Sequence, residues 1–129
     1  MRLIVLFLLI VLGCCDNWAV LIAGSHTYSN YRHQADVYHA YQAMIKGGFD
    51  PNRIITFAYD DIASHFTNPF RGKVFNKPTY KDPGVDVYSG VKIDYSKLTV
   101  TPEHFLAVLE GNKSAVAGKG TGRVVESTS

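Results

Sequence analysis

The 129-residue sequence predicts an α/β fold built on a mostly parallel sheet, and three observations carry that reading. Residues 18–24, WAVLIAG, form a continuous apolar run closed by a glycine, which suits a strand buried on both faces of a parallel sheet. Ala35, Tyr38, Tyr41 or Gln42, and Ile45 then recur at helical spacing until Gly47 and Gly48 stop them. Residues 53–59, RIITFAY, read as a second buried strand, rich in β-branched and aromatic side chains. Strand, helix and strand within about forty residues make a βαβ unit, whose strands run parallel through a right-handed crossover. Ser29 or Asn30 is placed to cap the helix.

The remaining segments are less regular. Between Asp60 and Leu98 the periodicity is interrupted by Pro69, Pro78 and Pro83 and by Gly72, Gly84 and Gly90. An excursion of that length in a compact domain is functional or tied down by other parts. A second helix is expected from Thr101, an N-cap followed by Pro102 at the first helical position and Glu103 in the first turn, up to Gly111. From Lys113 the chain turns small and polar, and no apolar strand is expected to close it. Two strands are fewer than a doubly wound sheet uses, so the sheet reads as incomplete, with only its first strands and helices present. Apolar faces left uncovered in this way predict poor solubility for the chain alone.

Composition narrows the function. Hydrophobic residues make up 47% and charged residues 19%, a globular balance. The formal net charge is +2 with no basic run, so no nucleic-acid partner is expected. Residues 1–15, MRLIVLFLLIVLGCC, have the order of a secretory signal peptide: a positive Arg2, an apolar stretch, then small residues, with cleavage after Gly13 or Cys15. A lipidated Cys14 in a bacterial lipoprotein signal is the alternative. The apolar stretch is too short to span a bilayer, which takes about 20 residues, so no stable membrane span is expected. Both cysteines, Cys14 and Cys15, lie at the end of this segment, so cleavage after Cys15 leaves a chain with no thiol or disulfide. Asn112-Lys113-Ser114 is an N-glycosylation sequon, with Asn112 the acceptor.

Chemistry concentrates in SNYRHQAD, residues 29–36, beyond the carboxyl end of the first strand, where open α/β sheets bind ligands. Arg32 offers a planar fork of donors suited to a carboxylate or an amide carbonyl. His33 could shuttle protons. Asn30 could orient an imidazole or simply cap the helix, and a capped helix start explains the stretch without any activity. No metal is expected. Asp60 and Asp61 are more often turn residues, and His26, His39, His65 and His104 lack ligand spacing. Ser25 is outside any G-x-S-x-G elbow.

The blocks NWAVLIAGS, NYRHQADVYHAYQ, YDDIA, NPFRGKVFNKP, DVYSGVKIDY and VTPEHFLAVLEGN, in this order from Asn17 to about Val125, resemble the N-terminal part of the legumain (asparaginyl endopeptidase) family. The GPI-anchor transamidase catalytic subunit shares the strand and a NYRH start, and a fragment of it is the alternative. A non-enzymatic secreted product is another. The resemblance implies a caspase-like three-layer α/β fold and a secreted or lysosomal cysteine endopeptidase cleaving after asparagine, with no cofactor. It makes residues 16–129 the N-terminal part of the peptidase domain, and implies peptide substrates with Asn at the cleavage site and a lysosomal, vacuolar or extracellular location. Asn30 matches the asparagine that supports the catalytic histidine, and Arg32 the basic residue of the asparagine pocket. His33 and Asp36 match the motif as loop supports. The family's histidine lies in a DHG-like motif and its cysteine in an EAC-like motif, and neither motif occurs in this sequence. The resemblance therefore implies that this chain alone is inactive. Where the family has Arg-Gly-Asp this chain has Glu110-Gly111-Asn112, which removes the basis for integrin binding.

Overall fold

The computed structural model describes residues 17–77 and 84–126. The proposed signal peptide lies outside the described residues. Strand β1 (Ala19–Ile22) pairs in parallel with β2 (Ile54–Phe57), in the register Ala19↔Ile54 to Ile22↔Phe57. Helix α1 (Tyr31–Lys46) makes the crossover between them. Beyond β2 the sheet gains one further position: Phe57 and Tyr95 form a parallel bridge, and Ala58 donates its N–H to the Tyr95 carbonyl at 3.0 Å. β2 is therefore central, and all four of its residues are buried.

The alternation of β2 builds two cores. Ile54 packs with Ala19 and Tyr41 on the α1 side. Ile55 and Phe57 point the other way, against Tyr95 and against Ala107 and Val108 of α2 (Pro102–Leu109). The result is helix, sheet and helix in layers. β1 departs from the expectation of burial on both faces. Ala19 is buried, Val20 and Leu21 are half-buried, and Ile22 is 39% exposed. The cause is position: α2 lies over β2 and Tyr95, and among the described residues β1 is paired on one side only.

Both helix starts were foreseen, but only one is capped as expected. The Thr101 hydroxyl accepts from the His104 N–H at 3.2 Å, with Pro102 in the first turn. Asn30 occupies the N-cap position of α1, but its side chain makes no capping bond and reaches back to the His26 carbonyl at 3.0 Å. α2 ends in a Schellman turn: Gly111, at φ 69°, donates to the Val108 carbonyl and Asn112 donates to that of Ala107.

The irregular excursion is tied down by α1. Tyr31 accepts the Phe75 N–H at 2.6 Å on its hydroxyl, Asp36 accepts from the Asn76 amide at 2.7 Å, and Gln42 donates to the carbonyls of Val87 and Ser89. Within the excursion β3 (Phe75–Asn76) pairs antiparallel with β4 (Val85–Asp86). The buried Asn68 cinches it, donating to the carbonyls of Ile62 and Lys73 and accepting from the Phe70 N–H.

The polar tail also contributes to the core, against expectation. Val116 and Val124 are buried in the α2 cluster. Arg123 holds this tail: its guanidinium meets the fully buried Asp94 carboxylate at 3.0 Å and donates to the carbonyls of Ile54 and Asn52.

Candidate active-site wall on the β1–α1 loop

The first turn of α1 stands at the carboxyl end of β1, so Asn30, Arg32, His33 and Asp36 are held by a helix start rather than a free loop. Arg32 is exposed, and among the described residues its guanidinium has no partner. It shares with Asp36, one turn later, a hollow of about 500 Å³ walled by Tyr28, Tyr31, Phe70 and Phe75. His33 faces elsewhere, into a second hollow beside Ala23, Gly24 and Ser25, where its Nδ1 lies 2.5 Å from the Ser25 hydroxyl. Asp36 lines both hollows. The half-buried Asn30 donates through its side-chain amide to His26, and its side-chain oxygen is unengaged among the described residues. The four residues thus lie at the N-cap and in the first two turns of α1 but do not converge on one point. Arg32 is available to a ligand, whereas His33 and Asp36 are engaged within the protein.

Asp60, Asp61, His65 and His104 are occupied in the same way. Asp60 accepts from the Tyr88 hydroxyl at 2.8 Å and Asp61 from the Thr27 N–H at 2.7 Å. His65 bonds Thr67 and stacks on Tyr28, and His104 lies 3.0 Å from the Thr99 carbonyl. No cluster of three or more metal-ligating side chains occurs among the described residues. Nor is any helix among them long and apolar enough to cross a membrane.

One buried side chain escaped sequence reading. Gln34, 1% exposed, bonds Asp61, Tyr38 and the Asp60 N–H. The available signal was a polar residue on the apolar stripe of α1, one turn before Tyr38.

Burial raises the Asp60 carboxyl above its ordinary range, and the Tyr88 hydroxyl and Lys97 only partly offset this. Tyr88 is itself pushed up to about 12, by burial first and then by Asp60. Burial likewise raises the Tyr38 hydroxyl. A carboxyl raised in the fold disfavours folding once it ionises. The penalty is absent below the unfolded value and grows as pH rises through the window between the unfolded and folded values. Asn at this position keeps an acceptor for Tyr88 and tolerates the φ of 62° found here. Asp60→Asn is therefore expected to gain stability relative to the unmodified protein as pH rises from below the ordinary carboxylate range through the raised range of Asp60. Thermal melts across that range check it, and a gap that shrank with rising pH would contradict the assignment.

A parallel βαβ core, with a polar helix start beyond its first strand whose Arg32 has no partner among the described residues, defines an α/β protein. The family is shown by comparison: the model of the Peptidase C13 family matches residues 17–129, and the chain belongs to that family of cysteine endopeptidases. It is 54% identical over 111 residues to the vacuolar-processing enzyme of Phaseolus vulgaris, covering 86% of this chain and 22% of that protein. It is 50% identical over 111 residues to the legumain of Rattus norvegicus, covering 86% of this chain and 25% of that protein. Vacuolar-processing enzyme beta-isozyme 1 of Oryza sativa subsp. japonica is 54% identical, with 21% of its length covered. The chain thus spans a quarter or less of the length of these relatives.

Proposed function

We propose that this chain supplies the substrate-binding wall of a legumain-type endopeptidase that cleaves after asparagine. The observation that carries the reading is Arg32: a guanidinium on a fixed helix turn, exposed, unpartnered among the described residues and set beside a hollow. A planar fork of N–H donors fits the side-chain amide oxygen of asparagine. Asn30, with its oxygen unengaged among the described residues, is proposed to support the catalytic imidazole, while His33 and Asp36 brace the turn through Ser25 and Asn76. The wider caspase-like architecture is part of the same reading, supported by the layered βαβ core.

The cysteine thiolate and histidine base of this chemistry are proposed to come from a further part of the same protein, because the sequence has cysteines only at positions 14 and 15. The thiolate would attack the carbonyl carbon of the asparagine residue itself, forming a thioester as the C–N bond breaks and the imidazole protonates the departing amine. Water would then hydrolyse the thioester to free the thiolate and the new carboxylate. A vacuolar destination fits the name of the vacuolar-processing enzymes. Passage through the secretory pathway to a vacuole, a lysosome or the exterior fits the order of residues 1–15 and the exposed sequon at Asn112. None of the named relatives favours the transamidase alternative.

The test compares two polypeptides on one fluorogenic Asn peptide at acidic pH. The full-length protein containing this chain is expected to cleave after Asn and to lose activity on alkylation of its thiol. The 129-residue chain alone is expected to show no hydrolysis. Thiol-dependent cleavage by the purified short chain would overturn the division of labour, and failure of the full-length protein to cleave would overturn the function.

A further inference from the structure

We propose that Gln34 and Asp61 are positioning residues, a clamp that fixes the wall carrying Asn30 and Arg32 to the loop after β2. The proposal rests on the functional reading above and names what holds that wall in place. Its geometry centres on one carboxylate. Asp61 Oδ2 accepts the Thr27 N–H at 2.7 Å, and Oδ1 accepts from the Gln34 amide nitrogen at 2.7 Å. Thr27 precedes the wall and Gln34 follows it, so Asp61 grips the segment between them from both sides.

The bonds continue inwards. The Asn30 backbone N–H goes to the Thr27 carbonyl at 3.0 Å, and its side-chain amide goes to the carbonyl of His26. A displaced Thr27 would therefore carry Asn30 with it. At the other end the Gln34 oxygen accepts the Tyr38 hydroxyl at 3.1 Å and the Asp60 N–H at 3.0 Å.

The backbone shows why a clamp is needed. Thr27 has φ 76°, a value a β-branched residue adopts only when held, and Asp60 has φ 62°, which an aspartate tolerates more readily. Each of these two residues gives its N–H to the clamp, Thr27 to Asp61 and Asp60 to Gln34. Gln34 is also nearly fully buried with both ends of its amide satisfied, so no rotation of it relieves the loss of a partner.

The donor and acceptor pattern can be broken and rebuilt. Asp61→Asn leaves one oxygen for two donors, so either Thr27 or Gln34 is released. Gln34→Glu removes the amide donor and sets a second carboxylate against Asp61. The double exchange Gln34→Glu with Asp61→Asn restores every bond. The new carboxylate accepts from Tyr38, from Asp60 and from the new amide, whose oxygen accepts from Thr27. Net charge is unchanged.

The experiment measures kcat/KM for an Asn peptide in the full-length protein, with the rate of thiol alkylation and hydrogen exchange at the Thr27 and Asp60 amides. Each single variant is expected to lower kcat/KM about tenfold and to speed exchange at those amides, with alkylation unchanged. The double exchange is expected to recover activity to within about threefold of the unmodified protein. Active single variants, or a double variant no better than either single, would overturn the clamp while leaving the functional reading intact. An unmodified protein that fails to cleave the Asn peptide would overturn the functional reading. In that case, unchanged amide exchange in the single variants would overturn the clamp as well.

Discussion

Gly120→Ala is expected to detach the tail from the sheet and to cost roughly 3 kcal/mol or more, at the upper end of ordinary single substitutions. Gly120 has φ 49°, and a Cβ there would collide with the backbone carbonyl of Asp94 and touch the Tyr95 ring. Neither neighbour can yield cheaply. The Asp94 N–H goes to the Thr56 carbonyl, its carboxylate accepts from Thr56, Thr121 and Arg123, and the Tyr95 hydroxyl donates to the Arg123 carbonyl at 2.6 Å. Moving Asp94 therefore disturbs the edge of β2 and the arginine that holds the tail together. Gly118→Ala provides the comparison. It has φ 69° but open space where the Cβ would go, so it should cost only about 1–2 kcal/mol for the left-handed backbone. Denaturant unfolding of the two variants checks the difference, and equal losses would refute the close approach of tail and sheet.

Arg32→Lys in the full-length protein is expected to lower kcat/KM for Asn peptides by roughly ten- to a hundredfold. A hydrogen bond to a charged group contributes about 1.5–3 kcal/mol, and lysine keeps the charge while losing the planar fork. Stability should barely change, because the guanidinium is exposed and has no partner among the described residues to leave unsatisfied. The thiol's reaction with a small alkylating agent should not change either, since the arginine is assigned to the pocket and not to the nucleophile. Asn30→Ala is expected to act differently, lowering kcat more than it raises KM, because its proposed partner is the catalytic base.

How much of this was legible in the sequence follows the range of the forces involved. The two strands, α1 and the capped start of α2 were all visible, because apolar periodicity and caps are local signals. The bonds that shape the site are not local. Tyr31 reaches Phe75, Gln42 reaches Val87, and Gln34 reaches Asp61, each joining residues 27 or more positions apart that no local pattern pairs. The tail misled for a related reason. Its glycines and polar residues read as a solvated end, yet Val116 and Val124 are buried because Arg123 finds Asp94 across the sheet. The motif SNYRHQAD was visible as a cluster, but the separate hollows that Arg32 and His33 line are built by other segments. The exposed end of β1 depends in turn on where α2 comes to rest.

The central claim is that Arg32 reads the side-chain amide of the substrate. The measurement that tests it most directly is the ratio of kcat/KM for two peptides differing only in Asn or Ala at the cleavage site, taken with the full-length protein and with its Arg32→Lys variant. The account predicts that the variant loses roughly ten- to a hundredfold of the preference for Asn while its cleavage of the Ala peptide is unchanged. A preserved Asn-to-Ala ratio, or an equal fall for both peptides, would contradict it and return the stretch to the start of a helix with an exposed first turn.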